Sequence, residues 1–364
     1  MTMSRRAALL GALATLPMGS GIAQEARGGV AQEARGGATQ EARGGATQDA
    51  RPGTAQGAGG GGALRKVTVA GWGPPISEIT NMLAEPDKGF FQAHGVALDY
   101  LPGQGSAAAI QNMLTGQADI AFTDPASFFL ALDAGEKLVA VYNIYPQNVF
   151  NLVARAGSGI RTPRDLRGKR VSVYARGSGT WIHLMLLLHA AGLTEADVTV
   201  EVAGPLNFGP LIQGQIDVAA ATDTGLQVAQ ARGLKDFTVI EVRDTINLPS
   251  DVFVVTEKTF RERPALIRDF LAAYRDSAQW MIDHPDEAAR LAVTRAINGR
   301  DEAINRGIID LRNASSVSDT TRREGLGHFD LAVLQRGADM MRELGLLKNA
   351  IDVPAVVRSD LLGG

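Results

Sequence analysis

The sequence predicts an α/β protein built as two similar units, and three observations carry that expectation. From Leu64 onward, strand-like and helix-like stretches alternate, the pattern of sheets with helices laid on their faces. The stretch Gly116-Gln117-Ala118-Asp119-Ile120-Ala121-Phe122-Thr123-Asp124 returns, with one residue inserted, as Gly214-Gln215-Ile216-Asp217-Val218-Ala219-Ala220-Ala221-Thr222-Asp223. Finally, the 364 residues include no cysteine. Disulfides, thiolate metal sites, cysteine nucleophiles and lipid attachment at a cysteine are therefore excluded, and packing must hold the fold.

In chain order, residues 1–23 read as a secretory signal peptide. Arg5 and Arg6 precede an apolar stretch over 7–16, and Gly21 and Ala23 stand at the −3 and −1 positions of a cleavage site. Ser4-Arg5-Arg6 with Leu9 also resembles a twin-arginine signal, so both export routes stay open. From Ala23 an eight-residue unit recurs (AQEARGGV, AQEARGGA, TQEARGGA, TQDARPGT, then a degenerate AQGAGGGG ending at Gly62), so residues 24–62 read as one repeat segment. The unit offers no apolar face to bury, so a solvated linker is expected. A net charge of −3 without a basic block argues against nucleic acid as a partner.

The folded part begins near Ala63. Residues 67–70 form a strand, 76–94 a helix broken near Pro86, and 96–101 a second strand. Gly103, Gln104 and Gly105 lead into a helix capped by Ser106, with Ile110, Met113 and Leu114 on one face. A strand at 119–122, a short helix at 128–133, and strands at 138–145 and 150–155 complete the first unit. The second opens with a strand at 171–174. Gly177-Ser178-Gly179-Thr180 then starts a helix over 181–191, which Gly192 stops. A strand at 198–202, a helix from the cap Asn207 to 213, a strand at 217–220, a helix near 226–232 and a strand at 237–242 follow. After a return strand at 251–256 the chain is helical, over 264–284, 285–297, 300–311 and 330–346.

Ligands of open α/β sheets bind outside the carboxyl ends of the strands. Two facing units would aim Thr123-Asp124 and Thr222-Asp223 into one cleft. Asp119 and Asp217 precede their strands and are read as turn or capping residues. Asp124 and Asp223 follow theirs, and are either ligand contacts or caps.

With these residues in hand, the chain resembles substrate-binding proteins of bacterial ABC importers, in the branch serving nitrate, taurine, alkanesulfonates and pyrimidine precursors of thiamine. The matching words are Gly89-Phe90-Phe91 before His94-Gly95-Val96, Gly116-Gln117-Ala118-Asp119-Ile120-Ala121, Asp165-Leu166-Arg167-Gly168-Lys169-Arg170-Val171, Ala191-Gly192-Leu193 and Gly214-Gln215-Ile216-Asp217, and the resemblance covers about 65–293. It implies a two-lobed periplasmic-binding-protein fold of type 2, each lobe a mainly parallel sheet flanked by helices, joined by two hinge crossings and closing on ligand. The crossings are expected near 156–161 and 244–250. Lobe one is then 64–156 with 251–364, and lobe two 157–250. The resemblance also implies a monomeric periplasmic receptor without lipid anchor, handing its solute to a membrane permease and its ATPase.

Several side chains are candidates for holding the solute. Helix N-termini at Ser106 and at Ser178, Gly179 and Thr180 offer unpaired N–H groups to a polar or anionic oxygen, or are plain caps. Trp72, in Gly71-Trp72-Gly73-Pro74-Pro75, either stacks on a planar ligand or anchors its loop. Thr123, Asp124 and Asp223 come from the pseudo-repeat, Gln147 from the junction of the lobes, and Asn207 from a helix cap. Aromatics with carboxylates favour a small amino-bearing or pyrimidine-like molecule; the two helix N-termini favour a sulfonate or other oxyanion. No cofactor or metal is expected, since no two of the five histidines have the i, i+4 spacing of a helical metal site. Enzyme relatives of the pyrimidine branch carry a cysteine- and histidine-rich iron motif that this chain lacks, which points to binding rather than catalysis. A ligand-sensing partner of a signalling protein is the remaining alternative.

Overall fold

In the computed structural model, residues 63–204 and 208–363 are described. The signal peptide, the repeat segment and Asn207 lie outside them. The first sheet contains β1 (Arg65–Ala70), β2 (Val96–Leu101), β3 (Ile120–Thr123), β4 (Leu138–Tyr145) and β10 (Asp251–Thr256), in the order β2-β1-β3-β10-β4. The second contains β5 (Phe150–Arg155), β6 (Arg170–Val173), β7 (Thr199–Val202), β8 (Val218–Thr222) and β9 (Phe237–Glu241), in the order β7-β6-β8-β5-β9. In each, a parallel trio is followed by one antiparallel strand, β10 or β5. These antiparallel strands are the ones the chain enters on arriving from the other sheet. The α/β, two-lobed expectation is met.

Strand pairing corrects the boundary between the lobes. The sequence reading puts residues 150–155 in the first unit and a crossing at 156–161. Instead, β5 pairs with β8 from Phe150↔Thr222 to Ala154↔Val218, and with β9 on its other side. The first crossing is therefore 146–149. Pro146 cannot donate to a ladder, and Asn148 turns the chain by accepting the Phe150 N–H at 2.9 Å, so the apolar run that follows starts a strand in a different sheet. The second crossing, 242–250, lies beside it. Ser250 Oγ accepts from Val149 N at 2.9 Å and donates to the Gln147 carbonyl at 3.0 Å, while Asn247 Oδ1 accepts from Asn148 N at 2.8 Å.

The pseudo-repeat proves to be a repeated piece of carpentry. Asp119 accepts from the Thr68 N–H at 2.9 Å and Asp217 from the Arg170 N–H at 2.8 Å, so each carboxylate stitches the start of its strand to the parallel neighbour. Gly116 and Gly214 precede them with φ of 78° and 75°, a left-handed geometry that glycine adopts at little cost.

Two segments differ from the sequence reading. The expected helix over 76–94 is a chain of short turns, Ser77–Ile79, Thr80–Leu83, Glu85–Lys88 and Phe90–Ala93, because Pro86 restarts the helix and Gly89 (φ 67°) breaks it. The helix expected to be capped by Ser106 runs Ser106–Leu114 with Gly105 (φ 107°) as its N-cap, so Ser106 is its first helical residue. The helix Gly179–Ala190 is apolar all round, as a helix buried on every side must be. It lies between β5 and β8 on one side and a core shared with Phe128, Phe129, Leu334 and Met341 on the other. The C-terminal helices Pro264–Asp283, Pro285–Arg295, Glu302–Ser315 and Leu331–Glu343 stand where periodicity places them.

Candidate functional site

The two sheets present the same edges to each other. On the first, β1 ends before Trp72, β3 ends at Thr123 before Asp124, and β10 starts at Asp251, opposite Tyr145 at the end of β4. On the second, β6 ends before Tyr174, β8 ends at Thr222 before Asp223, and β5 starts at Phe150. Both crossings leave from these edges, so the rims meet along one seam.

At the centre of the seam is an arginine that sequence reasoning missed. Arg312, on the Glu302–Ser315 helix, is only 1 % exposed. Its Nε lies 3.1 Å from Glu78 Oε2 on lobe one, and its Nη2 bonds Asp223 Oδ1 on lobe two. Its guanidinium also covers the Tyr145 ring, 5.1 Å from the centroid. A second bond crosses the seam, from Thr224 Oγ1 to Glu78 Oε1 at 2.7 Å. Burial works against the charge on Arg312, yet the Asp223 and Glu78 carboxylates more than offset it and hold the guanidinium protonated. Asp251 goes the other way. Burial first, then the nearby Asp124 and Glu78 carboxylates, push its carboxyl well above the usual range, with Arg312 opposing. This favours a neutral acid, able to donate a hydrogen bond.

His183 is the second group the sequence did not single out for the site. Its ring stacks on Phe150 with centroids 4.0 Å apart. Nδ1 lies 2.8 Å from the Gly179 carbonyl, which can only accept, so Nδ1 carries the proton. Burial depresses the pKa to about 4, against a smaller upward pull from Gly179 and from Asp124 across the seam. The neutral ring therefore presents Nε2 as an acceptor, and that atom is buried without a partner. Trp72 Nε1, Trp181 Nε1, Asn151 Oδ1 and Arg312 Nη1 are likewise buried and unpartnered. Buried polar groups of folded proteins are nearly always paired, so the spare atoms of His183, Trp72 and Arg312 at the seam are ones a polar ligand would use.

The sequence-predicted residues divide sharply. Trp72 meets Phe122 edge-on at 6.4 Å, with its indole N–H spare. Thr123 Oγ1 donates to the Ser106 carbonyl at 3.1 Å, tying the Ser106–Leu114 helix to the end of β3. Asp124 caps the Pro125–Asp133 helix, its two oxygens accepting from Ser127 N at 2.7 Å and Ser127 Oγ at 3.0 Å. Gln147 braces the hinge, donating to the Val317 carbonyl at 2.9 Å and accepting from Asn247 Nδ2 at 2.7 Å. Ser178 turns back on its own loop through the Ala175 carbonyl at 2.7 Å, leaving the Gly179–Ala190 helix without a side-chain cap. Gly179 is needed for packing, since a Cβ there would fall 2.5 Å from the Phe150 ring. Thr180 Oγ1 accepts from Tyr174 N at 2.9 Å.

Asp223 differs from Asp124 because of the inserted residue. The cap falls five residues after the stitching aspartate in both units, which is Asp124 in one and Thr222 in the other, whose Oγ1 accepts from Gly225 N at 3.2 Å. Asp223 is thereby released from capping, and reaches Arg312. A signal for Arg312 was present: Asn305, Ile308, Ile309, Arg312 and Ser315 form the buried stripe of their helix, and an arginine on such a stripe demands a charged partner. Glu78 and His183 carried no comparable signal. Cavities of ≈ 450 Å³ and ≈ 220 Å³ open elsewhere, the first at the far edge of the first sheet near Leu138 and Glu257, the second beside the crossings near Gln147 and Arg322. Among the described residues no cluster of potential metal ligands occurs, and no helix is long and apolar enough to cross a membrane.

The family model described as NMT1/THI5 like matches residues 76–288, which take in the first rim apart from Trp72, both crossings and all of lobe two. The chain belongs to the NMT1/THI5-like family. A riboflavin-binding protein, RibY, of Chloroflexus aurantiacus is 25 % identical over 306 residues, covering 83 % of this chain and 87 % of the relative. The periplasmic aliphatic sulphonate binding protein SsuA of Escherichia coli has the same fold, with a TM-score of 0.64 at 17 % identity over 82 % of this chain and 94 % of its own. The desulfurization enzyme DSZB shares the fold too, at a TM-score of 0.53 and 19 % identity over 81 % of this chain and 97 % of that one.

Proposed function

We propose that this family member is the solute-capturing component of an ABC importer. On this reading it is exported to the periplasm, binds a small polar organic molecule between its lobes and delivers it to a membrane permease, without catalysis. The observation that carries the proposal is the seam itself, where aromatic surfaces (Trp72, Phe150, Tyr145) accompany spare buried donors and acceptors on both lobes. The balance of charge favours a neutral or amino-bearing nitrogen heteroaromatic. Arg312 is already engaged by two carboxylates, Glu78 and Asp223, and a third, Asp124, lies near Asp251. A compact oxyanion would have to displace those carboxylates. The neutral His183 Nε2 asks instead for a ligand N–H, and the indole N–H groups ask for a carbonyl or ring nitrogen. A riboflavin-binding relative is consistent with that class.

The oxyanion reading retains one specific support, the uncapped N-terminus of the Gly179–Ala190 helix. A thermal-shift panel separates the two. Riboflavin, pyrimidines and amino-pyrimidines should stabilise the protein, by about 2.7 kcal/mol when ligand is present at about 100 times its dissociation constant. Stabilisation by taurine and alkanesulfonates alone would favour the oxyanion reading. Silence across the panel would count against a receptor for either class.

A further inference from the structure

We propose that the Arg312 bridge holds the two lobes together before any solute arrives, making Arg312 a positioning residue of the cleft. Besides the crossings and the apolar core that the Gly179–Ala190 helix shares with lobe one, three contacts around Arg312 join the lobes independently of a ligand. Arg312 reaches from lobe one to Asp223 on lobe two. Thr224 of lobe two donates to Glu78 of lobe one at 2.7 Å, and Glu78 is itself paired with Arg312 at 3.1 Å. Beside them the Glu302–Ser315 helix turns Gly307 toward the Asp223–Ala231 helix, so closely that a Cβ would lie 2.5 Å from Gln227 Nε2. The bridge is asymmetric. If the lobes part, Arg312 keeps Glu78 and loses Asp223, so the residue that lobe two contributes is the one that decides closure.

Removing one partner of a desolvated, hydrogen-bonded charge pair shifts an equilibrium by about 30-fold or more. The closed form is thus favoured by the protein's own chemistry, and a solute has correspondingly less closing to do. The inference rests on the two-lobed receptor reading for its use but not for its test, which needs no solute.

The chain has no cysteine, so Gln111→Cys on lobe one and Gln230→Cys on lobe two, both exposed, place two spin labels without competing thiols. In the unliganded full chain, pulsed dipolar spectroscopy should give one short interlobe distance. Asp223→Asn, which keeps a polar side chain at the helix start, should move most molecules to a longer, broader distribution. Thr224→Val, close to isosteric, should move a smaller fraction the same way. Circular dichroism and melting on the same samples establish that the lobes remain folded; should Asp223→Asn unfold, the Thr224→Val distribution decides. Distances in folded variants identical to the parent's, or a parent that is already open, would overturn the proposal. Asp223→Glu should restore the short distance, which a merely structural role for Asp223 does not require.

Discussion

Replacing Asp124 by alanine separates the two roles that a carboxylate after a strand can play. Both of its oxygens are taken by Ser127, one by the backbone N–H and one by the hydroxyl, and the residue is 3 % exposed. Losing an N-cap costs about 1 kcal/mol. Leaving the buried Ser127 hydroxyl unpaired costs about as much again, so Asp124→Ala should lose about 2 kcal/mol. That is a melting shift of roughly 4 °C for a domain of this size. Asp124→Asn keeps an acceptor for the Ser127 N–H and should recover most of the loss. The assay is thermal melting and urea unfolding of parent, Ala and Asn variants without solute, followed by titration with any compound found to bind. The capping argument fails if the Ala variant melts like the parent, or if Ala and Asn weaken binding equally while stability is unchanged.

Three further outcomes are expected. His183 stays neutral in the fold while an unfolded histidine takes up a proton near pH 6.5, so its burial withdraws up to about 3 kcal/mol of stability as pH falls from about 6.5 to 4; unfolding of His183→Leu across that window should show a flatter pH slope. Asp251 has the opposite sign, because its raised pKa makes the fold bind a proton more tightly than the unfolded chain, and stability drops as pH rises through the raised value. Asp251→Asn should therefore gain on the parent at neutral pH and lose that advantage in acid, as chemical denaturation at two pH values would reveal. Finally, Gly103→Ala would set a Cβ 1.9 Å from the Gly71 carbonyl, which must displace the loop carrying Trp72; an unchanged tryptophan emission spectrum would contradict this packing.

What the sequence made legible was whatever local chemistry decides. Strand and helix alternation, the stitching aspartates Asp119 and Asp217, and the amphipathic C-terminal helices all announce themselves through periodicity or a turn residue. The boundary between the lobes was lost because β5 is an apolar strand like any other, and only its long-range pairing says which sheet it joins. The seam was half legible. Trp72, Asp124 and Asp223 were singled out by their places after strands, whereas Arg312, which Asp223 meets, and Glu78, which Arg312 also meets, lie 89 and 145 residues from Asp223 and come together only in the folded chain. His183 hid in an all-apolar helix, where a histidine reads as packing.

The insertion of β10 between β3 and β4 has a consequence for how the molecule is made. Until the ribosome has passed Thr256, β4 has no neighbour in its sheet, because β10 is the strand that joins it to β3. Lobe one thus waits, open through its middle, while the second sheet, whose strands all lie between Phe150 and Glu241, already holds every strand partner it needs. Sheet assembly should then run from the inside of the chain outward, the second sheet pairing first and the first sheet depending on both flanking segments being present at once, while the face of the Gly179–Ala190 helix that meets Phe128 and Met341 is covered only when they arrive.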